Sequence, residues 1–456
     1  MFRKNRISSV QLIPLSFLAA ILAGTLLLML PVCTAPGEKT PFLTALFTAT
    51  TSVCVTGLVV VDTFSHWSTL GHLVILGLIQ IGGLGVITVN ATMMLLVRRR
   101  FSLGDRLLLQ DALNLERSAG ILGFLVKLLR GTLIVEGAGA LLYALAFVPA
   151  YGWIKGLWVS LFNAVSAFCN AGIDIIGPAS LKDYQSSPMV LGVTMGLIVL
   201  GGLGYVVWFD LSSKVRRGVK KGYSPRVIWK RLSEHTRLVL VLTFVLIAGG
   251  ALLIYVLEFR NPRTLGSMPM RDRVLNSIFE SVTLRTAGFA TFPQENMNTS
   301  SCLVAYLLMF IGGSPVGTAG GVKTVTFFLA AMNVITYIRD EPKKTVFGRT
   351  LSAEQMRKAT AIVAVSLLSV LVLSLVLMST NPRDNMTDSL FEVVSALGTV
   401  GLTRNLTATL NSAGRLIIIL GMYLGRIGPI SMAIFFARSR RPQPKISYID
   451  GDFFVG

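Results

Sequence analysis

Four short stretches of the chain set a glycine behind small, polar or β-branched residues: SVCVTGL around Gly57, SAFCNAGI around Gly172, TLRTAGF around Gly288 and SALGTVGL around Gly401. They recur at a nearly constant interval of about 115 residues, the signature of an internal repeat. A phenylalanine precedes each glycine at a similar distance (Phe47, Phe162, Phe279, Phe391), and the residue after it is polar each time: Thr48, Asn163, Glu280 and Glu392. The chemistry open to such stretches is coordination of a cation by the backbone. Glycine has no side chain to occlude a path and reaches backbone angles that aim carbonyls inward. Rings of carbonyl oxygens can replace the water shell of an ion.

A backbone used in this way has to be positioned, and the composition says where. The chain is 53% hydrophobic and only 14% charged, with a mean hydropathy of +0.68, a balance that could not fold in water without exposing large apolar surface. It is an integral membrane protein. Each quarter opens with a long apolar segment: residues 10–32, 121–148, 236–257 and 360–377. A shorter one follows, residues 40–52 in the first quarter. It cannot cross a hydrocarbon core that needs about 20 helical residues, so it is expected to enter and turn back at the glycine stretch. A third segment returns: residues 69–97, 189–209, 301–337 and 416–436.

The fold class expected is therefore all-α and membrane-integral, with four repeats of helix, half-helix, extended segment and helix around a single pore. The repeats span residues 1–98, 119–212, 234–340 and 355–438, and 439–456 form a short cytoplasmic tail. Non-helical backbone at membrane depth is tolerated only where it is buried in protein or lines a wet cavity, because an unpaired amide in lipid costs several kcal/mol. Four such segments around one axis meet that condition. The half-helices would point their carboxyl ends at the axis, each adding roughly half a negative elementary charge beside a bound cation. The inferred substrate is a dehydrated monovalent cation.

Lys and Arg clusters set the orientation. MFRKNR, VRRRF, KVRRGVKKGYSPRVIWKR, IRDEPKKTVFGR and ARSRRPQPK all fall on one side, which is then cytoplasmic and holds both termini. Arg260, Arg263, Arg271 and Arg273 in one outer loop disagree. All four repeats enter the membrane in the same sense, whereas the inverted repeats of a secondary active transporter would alternate. Such a Na+- or H+-coupled transporter is the alternative reading.

The returning segments carry a second motif: IGGLGV (81–86), LGGLGY (200–205), IGGSPVGTAGG (311–321) and LGRIGP (424–429). The first two read as close packing between membrane helices. The third segment would reach about 55 Å if wholly helical, far more than a bilayer core, so it must be broken or extend beyond the membrane. Gly312, Gly313, Ser314, Pro315, Gly317, Thr318, Gly320 and Gly321 mark the break, which reads as a hinge in preference to a passive kink because so many weak helix formers in one place make a segment cheap to rearrange. In the fourth copy Arg426 replaces a glycine. A charge at that depth must face water or a partner, so it is a functional candidate. Its guanidinium could bond neighbouring backbone carbonyls and repel cations. Lys323 either contributes to that barrier or snorkels to the cytoplasmic interface. Asp62 and Asp174, just outside the glycines, could concentrate cations. Glu280 and Glu392 read as braces, and Glu136 sits in an apolar segment with no partner named by the sequence.

Other chemistries are poorly provided for. Cys33, Cys54, Cys169 and Cys302 show no CxxC spacing, and the three histidines form no ligand pair. No catalytic cluster or nucleotide-binding pattern accompanies the apolar helices, so neither an enzyme nor a covalent cofactor is expected. The net charge of +20 lies in the loop clusters and does not point to nucleic acid.

Together the filter-like stretches and the interrupted third returning helix resemble the Trk/Ktr/HKT superfamily of potassium transporters, in which one subunit carries four M1-P-M2 repeats around one pore. The likeness covers essentially the whole chain and is greatest to the KtrB type, because the first repeat begins almost at the amino terminus. It implies a selectivity filter of Val55, Thr56 and Gly57, Asn170, Ala171 and Gly172, Thr286, Ala287 and Gly288, and Thr399, Val400 and Gly401. K+, the transported ion, would sit at their carbonyls. In the plant sodium-preferring branch serine replaces the first glycine, so Gly57 favours potassium. The resemblance further implies a gate loop below the filter with an arginine beside it, here Arg426. It also implies a homodimer with one pore per subunit, seated on a cytosolic ring of RCK-type nucleotide-binding regulatory subunits in a bacterial plasma membrane. Na+ dependence is left open.

Overall fold

The computed structural model describes residues 9–35, 37, 39–85, 88, 89, 91, 121–340, 344–382 and 384–428. The amino-terminal basic cluster, the VRRRF and ARSRRPQPK stretches, Pro429 and the tail 439–456 lie outside the described residues. The first quarter contains α1 (Ser9–Leu28), α2 (Phe42–Cys54), the single turn α3 (Thr63–His66) and α4 (Thr69–Leu84). The second contains α5 (Ile121–Tyr151), α6 (Trp153–Cys169), α7 (Pro188–Leu203) and α8 (Tyr205–Lys220), followed by the short α9 (Pro225–Arg231). In the third are α10 (Glu234–Glu258), α11 (Met270–Thr283), α12 (Thr299–Phe310) and α13 (Thr324–Ile338). The fourth holds α14 (Ala353–Thr380), α15 (Met386–Gly398) and α16 (Ser412–Ile427). A two-residue antiparallel hairpin, β1 (Thr345–Val346) with β2 (Arg349–Thr350), joins the last two quarters.

Local chemistry starts and stops these helices. Ser68, Ser187, Ser233 and Asn411 cap α4, α7, α10 and α16 by accepting a backbone N–H from the first turn, each cap worth about 1 kcal/mol. Among the described residues, α5, α10 and α14 are long and apolar enough to cross a membrane, and α7 with α8 form a bent pair. Leu133, Leu141, Phe244, Leu252, Leu371 and Leu375 are each largely exposed, an apolar outer face suited to lipid rather than water. Inside, Phe47, Phe162, Phe279 and Phe391, the phenylalanines of the repeat, are all fully buried.

The returning helices differ from the continuous segments that hydropathy predicts. Helices α4, α7 and α16 stop at Gly85, Gly204 and Gly428, whose φ values are 87°, 86° and 93°, and at Gly204 the chain turns by 101° into α8. A residue at such a φ cannot continue a right-handed helix. The glycine motifs thus do two things. Gly82, Gly201 and Gly425 press against the carbonyls of Val53, Phe168 and Leu397, with no room for a Cβ, and the glycine three residues further on ends the helix. In the third quarter the chain leaves helical form from Ile311 to Lys323, held by Gly312 N–H to Val322 O (3.0 Å) and Val322 N–H to Phe310 O (3.1 Å). The outer loop that disagrees with the charge rule uses Arg273 internally: it donates to the carbonyls of Met268 and Gly266, both at 2.7 Å, and lies over the Phe259 ring.

Candidate functional site

Helices α2, α6 and α15 end on a residue in the left-handed region: Val55 (φ 56°), Asn170 (59°) and Thr399 (49°). Thr286 (69°) takes the same conformation after α11. For β-branched residues this is rare and costs about 1–3 kcal/mol each. Two residues on, Gly57, Gly172, Gly288 and Gly401 have φ of 102°, 63°, 86° and 95°. Only the residue between keeps negative φ, and alternating handedness brings successive peptide groups to one side rather than to the alternate sides of a strand.

The four segments close on one another. A Cβ on Gly57 would lie 2.5 Å from the carbonyl oxygen of Ala171, on Gly172 2.5 Å from that of Ala287, and on Gly288 2.5 Å from that of Val400. On Gly401 it would run into the carbonyl of Thr56. The contacts pass from the first quarter through the second, third and fourth and back to the first, making a closed ring. All twelve residues singled out from the sequence in these segments lie in it, and all but the partly exposed Gly172 are buried. The Oγ1 atoms of Thr56, Thr286 and Thr399 have no protein partner among the described residues, leaving hydroxyl oxygens for an ion or its water.

Hydroxyls that sequence reasoning passed over fasten the ring from behind. Thr51 Oγ1 accepts from Gly57 N–H (2.9 Å), and Ser395 Oγ accepts from Gly401 N–H (3.1 Å). Ser166 Oγ accepts from Ile173 N–H (3.1 Å), and Thr283 Oγ1 donates to Phe289 O (2.6 Å). The signal was present as a Ser or Thr at nearly the same offset before each glycine. Glu392 accepts hydrogen bonds from the hydroxyls of Thr403 (2.7 Å) and Thr407. Glu280 accepts from Gln294 Nε2 at 3.3 Å.

Outside the ring lies a cavity of about 310 Å³ lined by the four glycines together with Asp62 and Asp174. Asp62 accepts from Phe64 and Ser65 N–H and caps α3. Burial pushes the Asp174 carboxyl up to about 6; hydrogen bonds from Ser180 and Ile176 oppose the rise and the nearby Asp62 charge adds to it.

Beneath the ring runs the glycine-rich loop, which also lines an inner cavity of about 850 Å³. Ser314 N–H donates to Gly202 O (2.8 Å) and Thr318 N–H to Gly201 O (3.1 Å), so the loop rests on α7. Gly320 abuts the Thr399 hydroxyl so closely that a Cβ would collide with it. Arg426 donates from Nη1 to Thr318 O (2.6 Å) and from Nη2 to Gly82 O, tying the loop to both the fourth and first quarters. Lys323 Nζ donates to Ala319 O at 2.6 Å and so turns to the loop, not to the interface. Sequence reasoning missed Arg285, which is buried and donates from Nη2 to Gly312 O at 3.2 Å. Its signal was a charge where the other repeats have Cys54, Cys169 and Gly398. Glu136 finds partners in Gln80 Nε2 (3.3 Å) and Cys169 Sγ (3.8 Å).

Comparison with known proteins agrees with this architecture. Residues 8–449 match the family model described as "TrkH: Cation transport protein". The Ktr system potassium uptake protein B of Bacillus subtilis is 37% identical over 451 residues, covering 99% of this chain and 97% of that protein. The potassium/sodium uptake protein NtpJ of Enterococcus hirae is 35% identical over 457 residues, covering 99% and 98%. The crystal structure of the potassium transporter TrkH from Vibrio parahaemolyticus superposes with a TM-score of 0.74 at 16% identity, covering 96% of this chain and 86% of that one, a likeness of fold. With a family model spanning nearly its whole length and full-length relatives at 35% and 37% identity, this chain belongs to the TrkH family of cation transport proteins.

Proposed function

We infer that the chain is the potassium-selective, ion-translocating membrane subunit of a Ktr-type K+ uptake system. K+ passes down its electrochemical gradient through one pore per subunit. The carbonyls of residues 55–57, 170–172, 286–288 and 399–401 take over its hydration, and the loop at 312–321, with Lys323 and Arg426, gates the path. The observation that carries this reading is the closed contact ring of the four glycines, because a ring of backbone oxygens at the carboxyl ends of four half-helices suits a dehydrated cation. The pore units are taken as 1–98, 119–212, 234–340 and 355–438, in one bacterial plasma-membrane subunit with cytoplasmic termini. The Ktr system names of the relatives support a multi-component assembly. A homodimer on an RCK-type nucleotide-binding ring is the form proposed.

The test is Gly57→Ser. Its Cβ meets the Ala171 carbonyl and its φ of 102° strains any L-residue, so the first segment must shift and the ring loosen. The K+/Na+ permeability ratio in proteoliposomes should fall at least tenfold. An unchanged ratio in a folded variant refutes the filter assignment.

A further inference from the structure

In three quarters a glycine of the returning helix lies hard against the end of its own pore helix: Gly82 on Val53, Gly201 on Phe168 and Gly425 on Leu397. The third quarter makes that junction differently. Its returning helix α12 has already stopped at Phe310, and the glycine that occupies the equivalent place, Gly312, is the first of the loop. Gly312 packs on the Gly320 carbonyl within the loop and not on the end of α11, and the link to the third half-helix is a hydrogen bond from Arg285 Nη2 to Gly312 O.

This arginine is an expensive choice for a spacer. It is 7% exposed, its Nε has no partner among the described residues, and no described carboxylate forms an ion pair with it. A buried cation held by a single neutral acceptor is poorly compensated, and neutral residues fill the same position in the other quarters. Position gives the charge something to act on. Arg285 follows the carboxyl end of α11, where the helix dipole is negative, and directly precedes Thr286 in the ring. Its acceptor is the residue at which the gate loop departs.

We propose that Arg285 is a positioning residue that couples the third segment of the ring to the glycine-rich loop, latching the loop's first residue so that displacing the loop and reshaping the ring at Thr286 are one event. The proposal rests on the filter and gate reading given above. Displacing Gly312 takes away the guanidinium's acceptor, a penalty that opposes opening. Conversely, an ion that fixes Thr286 and Arg285 fixes the loop through the same bond. Arg426 and Lys323 grip the far part of the loop at Thr318 and Ala319, and among the described residues neither bonds the ring segment of the third quarter.

The experiment uses the full chain in proteoliposomes, carrying Pro315→Cys on the loop as a reporter for a membrane-impermeant thiol reagent applied from the cytoplasmic face. Rb+ uptake, the Rb+/Na+ permeability ratio and the rate of thiol modification with and without saturating K+ are measured together. Arg285→Met should raise uptake and modification at least tenfold and abolish the effect of K+ on modification, and Arg285→Lys should fall between it and the parent. A folded Arg285→Met variant with parental uptake and modification overturns the proposal. So does a changed Rb+/Na+ ratio with unchanged modification, which would make Arg285 a filter brace alone. Should Arg285→Met not fold, Arg285→Gln is held to the same criteria. In the parent, the absence of any K+ effect on modification overturns the coupling by itself. A variant with the loop shortened between 313 and 320 separates the two levels. If it raises uptake while Arg285→Met does not, only the latch fails; if it does not raise uptake, the gate reading fails.

Discussion

Replacing Arg426 by glutamine is the perturbation whose size can be worked out most directly from the structure. Its guanidinium makes two bonds, one to Thr318 O at 2.6 Å and one to Gly82 O. Hydrogen bonds from a charged donor contribute about 1.5–3 kcal/mol each. Glutamine is shorter and neutral and can keep at most one in weakened form, so the closed arrangement should lose about 3 kcal/mol. If both bonds belong to the closed state alone, that shifts the closed-to-open ratio by about 100-fold, at 1.4 kcal/mol per factor of ten. Removing the charge acts in the same direction. At about 10 Å and an effective dielectric of about 20, a unit charge raises the energy of a cation by about 2 kcal/mol. The assay is the initial rate of Rb+ uptake into proteoliposomes lacking any regulatory partner. Uptake should rise between tenfold and a hundredfold, and Lys323→Gln, which loses one bond, should give a smaller rise. A correctly folded Arg426→Gln protein with uptake within twofold of the parent would refute the barrier role and leave Arg426 a structural rivet between quarters.

Gly320→Ala places a methyl group where the Thr399 hydroxyl lies, so the loop should be wedged off the ring and basal Rb+ uptake should rise; unaltered uptake would show that the contact does not hold the loop. Ser395→Ala removes the acceptor of Gly401 N–H and should lower stability by about 1 kcal/mol, read as a lower Tm, together with a smaller K+/Na+ ratio. Asp174, with its carboxyl raised to about 6 by burial, should lose its charge as external pH falls from 7 to 5. Uptake at subsaturating K+ should then decline, and Asp174→Asn should be flat over that range. A raised carboxyl binds its proton more readily in the folded state, so its effect on stability has the opposite sense: stability is greatest below the unfolded value and declines as pH rises through about 6.

Much of the arrangement could be read from the sequence because it repeats. Four glycines at one interval located the segments that the structure sets in a ring, and the phenylalanines upstream marked the cores behind them. Composition gave the membrane class, since exposed leucines such as Leu133 and Leu371 have no other solvent. What hydropathy could not register was the direction of the chain. Gly85, Gly204 and Gly428 sit in apolar runs that read as continuous helices, yet each ends its helix at a positive φ, and at Gly204 the chain turns by 101°. Arg285 was hidden for a different reason: attention to what the four copies share passes over the position where one of them departs. The destination of Lys323 was undecidable in one dimension, since a flexible stem serves an interface or a carbonyl equally well.

A ring assembled from four identical subunits would have to place four copies of any stopper in a hole wide enough for one. Here the quarters are links of one covalent chain, free to diverge, and the loop lying across α7 and Thr399 is present once. Under the gating role proposed above, it would be an off-centre door hung from a single wall, which a ring of four identical subunits could not carry. Its hinge and its latch can then change in one quarter while the oxygen lining contributed by the other three stays as it is.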